Sequence, residues 1–120
     1  MDVSSKLQIK PGQRIAVVPP AAPDLPDVAA PDTPLAEGVR DADVVVAFAR
    51  NQADLGTVAA PAVEAARADK LAWIAYPKAG QLGTDLNRDI LARSLAGRGV
   101  RPVWQVAIDD VWSALRFRPA

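Results

Sequence analysis

A chain of 120 residues with half its positions hydrophobic suffices for one compact domain spanning residues 1–120. Fourteen Lys/Arg against fourteen Asp/Glu leave no net charge, so no overall field favours nucleic acid or an anionic membrane surface. The absence of both Cys and His rules out thiol nucleophiles, disulfides, thiolate zinc sites and histidine-dependent triads. Residues 1–10 read as a loose arm, ended by the turn Lys10-Pro11-Gly12-Gln13. Arg14-Ile15-Ala16-Val17-Val18 is a short β-branched strand, and Pro19-Pro20 ends it because proline cannot donate to a ladder. Six prolines lie between Pro19 and Pro34, among Asp24, Asp27 and Asp32, so residues 19–37 are expected to form an extended surface connection rather than a helix.

Asp43-Val44-Val45-Val46-Ala47-Phe48 is nearly continuous in apolar character, the pattern of a central strand covered on both faces. From Asp54 to Asp69 an alanine-rich run places Val58, Ala62, Val63 and Ala66 at helical spacing. With Thr57 as N-cap, Pro61 falls in the first turn; the helix is expected to start late or kink there. Leu71-Ala72-Trp73-Ile74-Ala75-Tyr76 is a second buried strand, followed by a loop and a helix capped by Thr84 or Asp85 with Leu86, Ile90, Leu91 and Leu95 as its stripe. Gly97-Arg98-Gly99 stops that helix. Val100 to Ile108 then places Trp104, Val106 and Ile108 on one face, Val111 to Phe117 aligns Val111, Ser113, Leu115 and Phe117, and Asp109-Asp110 joins the two runs as a hairpin.

This order predicts an α/β, Rossmann-like sandwich with a mostly parallel central sheet and an antiparallel C-terminal edge pair. No apolar run reaches the roughly 20 residues that span a bilayer, and Met1 to Lys6 has no apolar core of the signal-peptide kind, so a cytoplasmic location is expected.

Lys10-Pro11-Gly12, Tyr76-Pro77-Lys78, Thr84-Asp85-Leu86-Asn87-Arg88 and the run from Val106 to Phe117 together resemble a family of small bacterial proteins described only as a domain of unknown function. The resemblance covers nearly the whole chain outside the proline-rich segment. That family looks like a shortened S-adenosylmethionine-dependent methyltransferase, which implies a Rossmann-like fold and no established activity. A working enzyme of that type needs glycines after its first strand, where backbone approaches cofactor. Here the place reads Val18-Pro19-Pro20-Ala21-Ala22-Pro23-Asp24, without the N–H donors and free φ that glycine gives. No cofactor is therefore expected.

The candidate ligand site is the loop after Tyr76. Gly80 and Gly83 loosen it, Thr84 and Asp85 lead into a helix N-terminus, and Lys78 and Arg88 add charge suited to phosphate, sulfate or carboxylate. The plainer alternative is that the glycines only turn the chain while Arg88 pairs with Asp85 or Asp89. Asp85, Asp89, Asp109 and Asp110 read as caps and turns rather than acid/base groups or magnesium ligands, so no catalytic or metal-binding residue is assigned. Packing accounts for Trp73, Trp104 and Trp112, and Arg116 and Arg118 around Phe117 read as charges protecting an edge strand. The chain is thus expected to be a non-catalytic binding or protein-interaction module, pairing as a homodimer or with another protein, with no nucleic acid or membrane partner. The alternative is a protein binding a small anion or nucleotide, or a weak enzyme, using the loop from Lys78 to Arg88.

Overall fold

The computed structural model describes residues 3–18, 25–28 and 34–120. Five strands form one sheet: β1 (Ile15–Val18), β2 (Val44–Phe48), β3 (Leu71–Pro77), β4 (Val100–Ala107) and β5 (Trp112–Pro119). Their order is β1-β2-β3-β5-β4. The first three are parallel, with Val46 opposite Trp73, and β5 inserts antiparallel between β3 and β4. Three α-helices, α1 (Val3–Lys6), α2 (Gln52–Arg67) and α3 (Arg88–Leu95), complete the mixed α/β architecture. The expected antiparallel pair is present, and β4 is the edge.

Strand alternation sorts the core into two layers. Val45, Ala47, Ala72, Ile74, Tyr76, Leu115 and Phe117 face α2 and α3, where they meet Leu55, Val58, Val63, Leu91 and Leu95. Val44, Val46, Phe48, Trp73, Ala75, Trp112 and Ala114 face the other way. Neither α2 nor α3 reaches that side; Leu7, Ile9, Leu25 and Val28 cover it. The small side chain of Ala75, paired with Phe48, lets the Phe48 and Trp112 rings meet edge-to-face at 5.3 Å.

Two local expectations are corrected here. Residues 3–10 are a docked strap, not a loose arm: Leu7 is fully buried and the indole Nε1 of Trp73 donates to the Leu7 carbonyl at 2.9 Å. A buried indole N–H needs an acceptor, and the strap supplies it. Helix α2 starts at Gln52, with Asn51 as N-cap accepting from the Asp54 N–H at 2.8 Å, and it runs through Pro61. Leu55, Val58, Ala59, Ala62, Val63 and Ala66 form one buried stripe on it. Burying Leu55, Val58 and Val63 contributes about 1.5–3 kcal/mol apiece, which outweighs the ~3 kcal/mol that proline costs inside a helix.

The 19–37 connection is described only in part. Its residues 25–28 lie against the strap-covered face, and Leu35 bridges Ile15 along the outer edge of β1. The prolines at 19, 20, 23 and 31 and Asp24 and Asp32 lie outside the described residues. Among the described residues, no helix is long and apolar enough to cross a membrane.

Candidate functional site

The loop between β3 and α3 sits at the carboxyl end of a parallel strand, where ligands bind in open α/β sheets. Its base is fixed: the Lys78 N–H donates to the Val111 carbonyl at 2.7 Å. Two consecutive turns follow, with Gln81 N donating to Lys78 O at 2.9 Å and Thr84 N to Gln81 O at 3.1 Å. These turns bring Gly80 to φ +82° and Gly83 to φ +62°, the left-handed region that glycine enters without strain.

The cap of α3 is Asn87, not Thr84 or Asp85. Its Oδ1 accepts from the Ile90 N–H at 2.8 Å. Thr84 Oγ1 instead accepts from Leu86 N at 3.0 Å, and the Asp85 carboxylate reaches away to the Gln52 N–H of α2 at 2.8 Å. Gln52 returns the contact through Nε2 to the Asp85 carbonyl at 3.2 Å. Asp85 is thereby a second cap for α2, placing negative charge at its positive end. The Arg88 guanidinium lies 3.7 Å from Asp89, both side chains more than half exposed. Lys78 is half-buried and makes no ion pair among the described residues. Of the candidate ligand residues, then, Thr84, Asp85 and Arg88 are engaged in local contacts, and the glycines serve turns. The N–H groups of Gln81, Thr84, Leu86 and Ile90 are occupied by the loop and its cap.

A shallow depression of about 350 Å³ lies beside this loop, lined by Gln52, Ile90, Arg93 and Ser94. The Ser94 hydroxyl donates to the Ile90 carbonyl at 2.8 Å, which occupies its proton. Nearby, the buried Tyr76 hydroxyl accepts from Gln105 Nε2 at 3.0 Å. Burial pushes its pKa above the ordinary phenol value; Arg88 and the Gln105 hydrogen bond pull it back, and Asp89 adds to the rise. A phenol held neutral in this way is not a base at physiological pH. Asp109 does structural work: its Oδ1 accepts from Val111 N at 2.8 Å and Trp112 N at 2.7 Å, closing the β4–β5 hairpin. Among the described residues, no group of three or more metal-ligating side chains converges.

The outer hairpin carries what residue patterning missed. Trp104, expected in the core, is 58% exposed, while Trp73 and Trp112 are buried. The alternation was correct, since Trp104 and Val106 share a face with Ala114 and Arg116. That face simply lacks a cover at its outer margin. Pro102 is the signal in the sequence, because proline within a strand confines it to an edge or a bulge. The pairing indeed shifts between Pro102 and Trp104. On β5, Arg116 is half-buried: one terminal nitrogen donates to Gln8 Oε1 at 2.7 Å, and its buried Nε has no partner. Burial and the neighbouring Arg118 lower its pKa, and Asp69 opposes them.

No protein-family model matches the chain, and neither a curated protein nor a solved structure is significantly similar to it.

Proposed function

We propose that this domain is a non-catalytic protein-interaction module built on a Rossmann-like scaffold, with β4 as its contact strand. The observation that carries this reading is the edge position of β4 together with the exposure of Trp104 on it. An edge strand presents unpaired main-chain donors and acceptors, and a tryptophan is the side chain most often found at the centre of a protein contact. The alternative of an anion site on the Lys78–Arg88 loop draws less support, because its turns, caps and the Arg88–Asp89 pair occupy much of what an anion would need.

The test is association by sedimentation equilibrium and affinity capture, with wild type and Trp104→Glu compared. The expected outcome is self-association or a captured protein with wild type, lost in Trp104→Glu while the thermal transition is kept. A monomer that also captures nothing would overturn the reading.

A further inference from the structure

The antiparallel register places a compact basic group around Trp104. Arg101 stands directly opposite Arg118, and Trp104 directly opposite Arg116. Directly opposite residues share a face, so all four side chains project from the same side of the outer hairpin. Like charges opposed across strands destabilise the pair. Among the described residues one carboxylate answers them: Asp69 lies 3.1 Å from Arg118. Arg101 is exposed and makes no ion pair among the described residues, and Arg116 meets the neutral amide of Gln8 while its Nε stays without a partner. Among the described residues, three guanidinium groups against one carboxylate leave a local excess of +2 on a chain whose overall charge is zero. At the far end of the strand the balance differs, since Lys6 Nζ donates to the Ala107 carbonyl near the hairpin turn that holds Asp109 and Asp110.

We infer that the occupant of this surface is an extended, acidic polypeptide segment that adds to β4, laying an apolar side chain on Trp104 and carboxylates toward Arg101, Arg116 and Arg118. This rests on the interaction reading above and names the chemistry of its partner. Guanidinium groups pair with carboxylates bidentately, and strand addition supplies main-chain hydrogen bonds while side chains supply choice. A nucleic acid would use the arginines and the indole but not the open backbone of β4. A second copy of this chain would bring its own Arg101 to the same edge and add to the charge excess.

The experiment is a fluorescence and calorimetric titration of the domain with a synthetic Glu/Val peptide repeating Glu-Thr-Val-Thr, which in a strand sets Glu and Val in turn along one face. A Lys/Val counterpart, an N-methylated Glu/Val peptide unable to form a ladder, and oligo-deoxythymidine serve as comparisons. The Glu/Val peptide is expected to bind, to weaken as salt is raised, and to lose about tenfold in affinity with Arg101→Glu, whose exposed position spares folding. Equal binding of the Lys/Val peptide, binding of the oligonucleotide alone, or no binding to any probe would overturn the acidic preference. In those cases association lost in Trp104→Glu would still uphold the interaction module. Equal binding of the N-methylated peptide would instead remove strand addition, and with it the role given to the β4 edge.

Discussion

The two faces of the sheet solve the same problem with different materials. One is covered by α2 and α3, whose buried residues recur at helical spacing. The other is covered by the strap of residues 3–10 and the short segment 25–28, which hold Leu7, Ile9, Leu25 and Val28 against Trp73 and its neighbours. A helix brings its own hydrogen bonds to the interface. The strap closes a single turn of its own, α1, with Leu7 N donating to Val3 O and Ile9 N to Ser4 O, and finds its remaining partners in the sheet: the Trp73 indole takes the Leu7 carbonyl, and Arg116 takes the Gln8 side chain. The helical cover is long and packs through apolar side chains, whereas the strap is short and tied down by specific polar contacts.

Leu91 and Leu7 put this difference to the test, since both are fully buried, one under each cover. Leu91→Ala is expected to cost about 4 kcal/mol in urea denaturation, because α3 and the sheet cannot close on the cavity, and Leu7→Ala only about 2 kcal/mol, because the strap can settle. Equal costs would mean that the strap is as rigid as the helix. Trp73→Phe probes the polar tie. Losing the indole donor leaves the Leu7 carbonyl without its buried partner, for an expected loss of about 1–2 kcal/mol and faster amide exchange in residues 3–10 than in α3. Unchanged exchange there would show that the strap is held by its apolar side chains alone.

The smallest effect belongs to Tyr76, the single tyrosine of the chain, on the helix-covered face. Its folded pKa is raised, chiefly by burial, so the folded chain holds the phenol proton more tightly than the unfolded chain. That contribution is complete below about pH 10 and is lost as pH rises through the raised folded value. Phenolate absorbance should therefore titrate above the free-tyrosine range. Tyr76→Phe should flatten the alkaline loss of stability while costing roughly 0.5–1 kcal/mol at neutral pH. Titration at the free value would place the hydroxyl in water.

Legibility in the sequence follows the same division. The runs 44–48 and 71–76 announced buried strands because both faces are apolar, and Gly97 and Gly99 marked the end of α3 with the positive φ expected of them. The start of α2 was misplaced because Pro61 suggested a boundary, whereas the stripe from Leu55 to Ala66 decides the matter through tertiary burial. The strap has no periodicity to read; its burial comes from Trp73, far away in sequence, and the requirement of that indole for an acceptor was the only hint. In the same way, Thr84 and Asp85 were sensible caps by composition, and Asp85 does cap a helix, but α2 rather than α3. Val111, aligned with Ser113 by alternation, packs with the opposite layer because the Asp109 turn holds it outside the strand.

The break in pairing at Pro102 limits what can grow on the molecule. From Trp104 to Ala107 the outer strand pairs regularly with β5; before that, Pro102 offers no N–H and the register shifts. Lys6 Nζ already takes the Ala107 carbonyl, so an added strand would meet regular template only from Trp104 to Val106. Stacking into a fibril requires runs of about six or seven. The irregularity at Pro102 thus works against polymerisation along this edge.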